Sequence, residues 1–237
     1  MIIITRRKPV ILLFFLILFV SAVFSIRNEN VSVVFSEKKT KCIILDAGHG
    51  FPDGGAVGTT GTIECTLNLS IAKQVESLLI KKGYSVIMTR TDENSLINET
   101  LPIGKKKQKD MHKRLEIINC SEADFFVSIH MNKFSDSRYR GPQVIYSGKF
   151  AESGTLAQLI QQELNKLSDN PSKRTQLEAP SSIFLLKNAV IPAIIVECGF
   201  LSNPEEEMLL QKMEHQKKIS EAIANGIDRF YKEEIKE

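Results

Sequence analysis

No two cysteines in this sequence are spaced as C-x-x-C, although the chain carries four: Cys42, Cys65, Cys120 and Cys198. That excludes a compact zinc ribbon and a thioredoxin-type redox pair. H-E-x-x-H is absent, so the helix-borne metalloprotease site is excluded as well. G-x-S-x-G is also missing, and with it the nucleophile elbow of the serine hydrolases. There is no internal repeat and no sign of a second domain. Nor is there a charge excess to speak of. The chain has 31 Lys+Arg against 28 Asp+Glu, and Arg6, Arg7 and Lys8 account for the difference. Residues 27–237 are formally neutral, which gives no case for nucleic-acid binding.

Those three basic residues precede an unbroken apolar run, Val10 to Val20, extended to Ile26. A basic flank before such a run is an export signal. As a helix, Val10 to Ile26 would span roughly 26 Å at ~1.5 Å per residue, a little short of a ~30 Å hydrocarbon core. An uncleaved membrane anchor is the favoured reading of residues 1–26. A signal peptide cleaved near Val20-Ser21-Ala22 is the alternative. The leading positive charges place the remainder outside the cytoplasm. Residues 27–40 read as a polar tether, and 41–237 as one catalytic domain, long enough to bury a real core. Disulfides are permitted in an exported chain, but the cysteines are expected to be mostly small buried apolar residues.

Lys41 to Leu45 is a short apolar strand, followed by a loop rich in glycine from Gly48 to Gly61. Glu64 opens a helix with Leu67, Ile71, Val75 and Leu78 on one face, an amphipathic period that stops at Gly83. Tyr84 to Thr89 completes a βαβ unit. The polar stretch Asp92 to Lys109, with the run Lys105-Lys106-Lys107, reads as a solvated loop. A sharper reading is an electrostatic contact with an anionic polymer or a partner protein. Asp110 to Asn119 is a short helix, Phe125 to Ile129 a strand, and Pro142 to Tyr146 a strand placed at an edge, where proline is tolerated. Ser153 to Leu167 is helical, Ile183 to Leu186 and Ala193 to Val196 are strands, and Asn203-Pro204-Glu205-Glu206-Glu207 is a strong helix start. A last helix from Gln216 to Tyr231 turns Ile219, Ile223, Ile227 and Phe230 inward.

Buried strands of an open α/β sheet present ligands at their carboxyl ends. Three of the strands end in His49, His130 and Glu197, and Glu64 follows the first loop. His49, Glu64 and His130 fit the three-ligand set of a catalytic zinc. Glu197 is placed to take a proton from water attacking a carbonyl and to return it to a leaving nitrogen. Cys198 neighbours Glu197, but adjacent strand residues face opposite ways, which argues against a ligand role. Asp46 is read as an acceptor behind a ligand histidine or a cap for loop amides. Asn132, Asn203, Arg114 and Asn119 are structural, His112 and His215 are exposed, and Ser182 to Lys187 lines a groove. On spacing alone the reading stops at a metal-dependent hydrolase.

The motifs go further. Leu45-Asp46-Ala47-Gly48-His49-Gly50, Glu64 with Leu67-Asn68-Leu69, Ser128-Ile129-His130-Met131-Asn132 and Val196 to Pro204 occur in one order. Together they resemble the zinc-dependent N-acetylmuramoyl-L-alanine amidases (the amidase_3 family) over about Lys41 to Tyr231. The resemblance implies an α/β fold, a single domain with a mixed, mostly parallel sheet of about six strands and helices on both faces. It implies Zn2+ held by His49, Glu64 and His130, with Glu197 as the catalytic glutamate. The implied substrate is peptidoglycan, cut between N-acetylmuramic acid and the L-alanine of the stem peptide.

Neither wall-binding repeats nor a helix plugging the site is evident. A bare catalytic domain behind a signal anchor is similar to the spore-cortex members. That likeness implies a part in muramic-δ-lactam formation, linked to a deacetylase, and a lipoprotein activator, for which the 170–180 loop or the last helix offers a surface. The alternatives are a vegetative wall amidase of autolysis or division, a related wall peptidase cutting peptide–peptide bonds, and a wall-binding protein that needs a partner for activity.

Overall fold

The computed structural model describes residues 41–167 and 174–233. The leader 1–26, the tether 27–40 and the first part of the 170–180 loop lie outside the described residues. Among the described residues, no helix is long and apolar enough to cross a membrane.

Six strands form one sheet in the order β2-β1-β3-β6-β4-β5. They are β1 Cys42–Ala47, β2 Ser85–Met88, β3 Phe125–Asn132, β4 Gln143–Tyr146, β5 Leu177–Glu178 and β6 Ala193–Phe200. β2, β1, β3 and β6 run parallel, and β4 joins β6 antiparallel. The helices are α1 Glu64–Lys81, α2 Ile103–Cys120, α3 Ala151–Leu164, α4 Phe184–Asn188, α5 Pro204–Leu210 and α6 Met213–Glu233.

The central strands are apolar on both sides, as buried parallel strands must be. Ile43, Leu45, Val127, Ile129, Ile194 and Val196 pack with Ile71 and Leu79 of α1, Ile160 of α3, and Ile219, Ile223, Ile227 and Phe230 of α6. Ile44, Phe126 and Ile195 face the other way, toward Ile118 of α2 and Leu185 and Leu186 of α4. This second layer is thinner, and the functional groups open beside it. Asn203 caps α5 as its sequence requires, accepting a hydrogen bond from Glu206 N, with Pro204 in the first turn.

Three segments depart from expectation. The lysine run is not a loop. α2 begins at Ile103, so Lys105, Lys106 and Lys107 lie in its first turns. The helix read from Asp110 thus starts earlier than expected, because its first turns, Ile103 to Lys109, bury no side chain and leave no apolar period to read. Ile183 to Leu186 is not a strand: Phe184–Asn188 is a single helical turn, and so short an apolar run has no period that separates the two. The strand after Pro142 is internal, because the two-residue β5 pairs with it and forms the edge. The cysteines are also less uniform than expected. Cys65 and Cys198 are buried, Cys42 is half-buried, Cys120 is exposed, and all are free.

Candidate active site

The sheet register brings the first pair together. His130 on β3 lies directly opposite Glu197 on β6, so both side chains leave the same face, at the carboxyl ends of parallel strands. The ladder shifts register just past this pair, between His130 and Asn132, a device that re-aims side chains at strand ends.

His49 and Glu64 arrive by the loop. His49 has φ 62°, a left-handed conformation uncommon outside glycine and often found at functional positions. The loop then folds back: Glu64 N donates to Ala56 O at 2.9 Å, and Ala56 N donates to Glu64 Oε2 at 2.7 Å. Glu64 is thereby fixed at the positive start of α1, where a carboxylate is favoured. Gly48 leaves room for the His130 ring, since a Cβ there would sit 2.2 Å from His130 Nε2.

The result is a compact donor set. One ligand atom each from His49, Glu64 and His130 lies within 4.8 Å of the others. Glu64 Oε1 is 2.9 Å from His130 Nδ1, and Glu64 Oε2 is 3.3 Å from His49 Nε2. Burial alone would raise the Glu64 pKa. Its hydrogen bonds to His130 and His49 outweigh burial and hold the carboxyl well below the usual range. Burial likewise opposes a charge on His49, but its bonds to Asp53 and Glu64 push it up to about 9.

Glu197 is a different kind of carboxylate. Its Oε2 is enclosed with no hydrogen-bond partner among the described residues. Burial, with Glu64 adding to it, pushes its pKa up to about 7, against the pull of His130 and His49. A polar atom left bare in a native site calls for an explanation, and an attacking water is the one the site suggests.

The family model for N-acetylmuramoyl-L-alanine amidase matches residues 43–229. The chain belongs to this amidase family. The germination-specific N-acetylmuramoyl-L-alanine amidase of Bacillus subtilis is 39% identical over 194 residues, covering 81% of each chain. AmiA of Salmonella typhimurium is 28% identical, covering 82% of this chain and 78% of its own. Among solved structures, the CwlD amidase from Clostridioides difficile, in complex with the GerS lipoprotein, superposes with a TM-score of 0.78 at 39% identity. That alignment covers 81% of this chain and 99% of CwlD. The chain is an amidase of peptidoglycan by this membership.

Around the amidase site, several supporting groups differ from expectation. Among the described residues Asp46 bonds to neither His49 nor His130 and caps no loop amide. It is fully buried, accepts from Thr89 Oγ1 and Ser128 Oγ at 2.5 Å each, and pairs with Arg114. The acceptor behind His49 is Asp53, whose Oδ2 lies 3.0 Å from His49 Nδ1. Such a carboxylate fixes the ring and its tautomer. Asp53 was legible only as one polar residue in a glycine-rich loop. Two arginines pin the same loop through its carbonyls. Arg114 reaches Ala47 O at 3.0 Å and His49 O at 2.5 Å, and Arg90 reaches Ala47 O at 2.7 Å and Gly48 O at 3.0 Å. Asn68 Nδ2 adds a contact to Gly48 O at 3.1 Å. Asn203 also holds Ser137 O at 2.9 Å, and Asn119 joins α2 to Asn188 and Val190, so both are structural. His112 is exposed against Phe184, whereas His215 is half-buried, not exposed. Cys198 packs into the core on the face away from Glu197, as alternation requires. Ser182, Ile183, Phe184 and Leu185 do line a cavity of about 290 Å³ beside His49 and His130.

The far end of the loop is tied to α5. Glu207 accepts from Thr59 Oγ1 at 2.5 Å, Thr60 Oγ1 at 2.7 Å, Thr60 N at 3.1 Å and Thr62 N at 3.3 Å. Burial opposes its charge, but these donors win and hold its pKa at about 2. Glu207→Ala strands the donors and frees the loop between two of the donor residues. Urea unfolding is expected to show a loss of about 2–3 kcal/mol, the scale of hydrogen bonds to a charged group. An unchanged unfolding midpoint would mean the loop is held by other contacts.

Proposed function

We propose that this amidase is a zinc-dependent hydrolase of the bond between the lactyl carbonyl of N-acetylmuramic acid and the L-alanine nitrogen. His49, Glu64 and His130 are its metal ligands and Glu197 its general base. The observation that carries this reading is the bare, partner-free Oε2 of Glu197 in register with His130 of the His-Glu-His cluster. Two nitrogens and one carboxylate suit zinc's preference for three protein ligands and an open position. Zinc bound there supplies Lewis acidity toward water and the amide carbonyl.

The chain's own residues do the rest. Asp53 holds His49 through Nδ1 and leaves Nε2 facing the donor set. Glu197 takes a proton from the attacking water as the oxygen–carbon bond forms. It then delivers that proton to the alanine nitrogen as the carbon–nitrogen bond breaks, leaving a muramic acid carboxyl and a free stem amine. Burial suits Glu197 to both tasks, since a carboxyl near neutral pKa can accept and release a proton at working pH.

The spore cortex is the setting we infer, with stem removal preceding a deacetylase step on the way to muramic-δ-lactam. The likeness to a germination-specific amidase and to CwlD supports it. CwlD was solved with a lipoprotein, and a lipoprotein activator is proposed here too. Residues 1–26 are proposed to export the domain and hold it at the outer face of the membrane, with 27–40 as tether.

Mass spectrometry of peptidoglycan treated with the full chain tests the chemistry. Free stem peptides beginning at L-alanine are expected with zinc and not after chelation. Cleavage within the stem would replace the amidase reading by a peptidase, and product that persists under chelation would overturn the metal mechanism.

A further inference from the structure

We propose that Lys107 is a specificity-determining residue that reads a free carboxylate on the stem residue following L-alanine. The proposal rests on the amidase reading above and concerns the cavity on the α2 and α4 side of the histidine pair. Its walls include Met111, Ile183, Phe184, Leu185 and Ile195, an apolar surface suited to the alanine methyl.

The charged groups at this cavity are not equivalent. Arg114 is 1% exposed and closed between Asp46 and Asp110, so it has no donor to offer a ligand without breaking a buried network. Lys107 is 52% exposed, and its Nζ lies 3.0 Å from Asp53 Oδ2. Among the described lysines and arginines lining the cavity, it is the cation with solvent access. Lys106 instead lines a small neighbouring cavity beside Asp53. Asp53 also has His49, so it keeps a partner when Lys107 turns away. An ion pair this exposed is worth only about 0–1 kcal/mol, and lysine swings on a flexible stem. Exchanging Asp53 for a substrate carboxylate therefore costs little. The lysine run thus places one member where an acidic stem peptide meets the site, and amidation of that stem carboxyl would remove the charge it reads.

Two soluble probes differ only at that group: N-acetylmuramoyl-L-alanyl-D-glutamate and N-acetylmuramoyl-L-alanyl-D-isoglutamine. With the zinc-loaded full chain, kcat/KM should favour the carboxylate by about tenfold, equivalent to ~1.4 kcal/mol. K107M should bring the ratio close to one, K107E should invert it, and K107R should keep most of it. A role exerted only through Asp53 and His49 would lower both substrates together and leave the ratio alone. The proposal is overturned if the wild type shows no preference or if K107M retains it. Failure of the same preparation, with the proposed lipoprotein activator added, to release stem peptides from peptidoglycan would instead overturn the proposed bond specificity on which this inference rests.

Discussion

Glu197→Gln is expected to lower kcat by about 10²–10⁴-fold, the usual contribution of a positioned general base, while zinc content stays unchanged. The amide keeps the shape and the contacts of the side chain but cannot accept a proton. The substitution should also stabilise the ion-free protein, and the sign follows from the pKa. Burial pushes Glu197 from its ordinary value of 4.5 up to about 7. Between those values the folded state holds a proton that the unfolded state has lost, so stability falls as pH rises through this window. Above about pH 7 the whole penalty of the buried charge is present. Ion-free E197Q should therefore melt higher than the wild type at pH 8, and the gain should vanish near pH 4. In the wild type, activity should fall as pH drops and Glu197 takes up its proton. Loss of turnover with lower stability at pH 8 would mean that Glu197 is a structural acceptor, and unchanged turnover would remove it from the mechanism.

The positions of the four proposed site residues were legible because His49 and Glu64 flank the glycine-rich loop after β1, while His130 and Glu197 lie toward the carboxyl ends of β3 and β6. His130 and Glu197 end apolar runs whose alternation fixes the face, and the pairing of β3 with β6 then does the rest. Glu64 was legible as a helix start. What stayed hidden is held by interactions without a period. Asp53 is one polar residue in a glycine-rich loop, and nothing in its spacing shows that it reaches back to His49. Arg90 and Arg114 act through backbone carbonyls, which no side-chain pattern encodes. The first two turns of α2, from Ile103 to Lys109, bury no side chain and so carry no apolar period, and they passed for loop ahead of the helix read from Asp110. The misread helix matters for function, because it is what carries Lys107 to the cavity rim.

Arg114→Met carries the largest expected cost in stability, about 3–5 kcal/mol, the range for removing one partner of a buried ion pair. Methionine fills much of the space, so the loss is not mainly one of packing. The guanidinium joins Asp46 on β1, Asp110 one turn earlier on α2, and the carbonyls of Ala47 and His49. In the wild type, burial raises the Asp46 pKa, but Arg114, Ser128 and Thr89 outweigh it and hold it below the ordinary value of 3.8. That contribution is present above pH 3.8 and is lost as pH falls through the depressed pKa. Without Arg114 the balance reverses, burial dominates, and Asp46 resists ionisation. The deficit of R114M should therefore be largest near neutral pH and shrink toward pH 4, where an unpaired Asp46 can take up a proton. Urea unfolding at the two pH values measures this directly. Zinc affinity should weaken as well, because the loop that presents His49 loses two of its carbonyl anchors. A deficit independent of pH would show that Arg114 acts through shape alone. Intact zinc affinity beside a large deficit would show that Arg90 and Asn68 suffice to hold the loop.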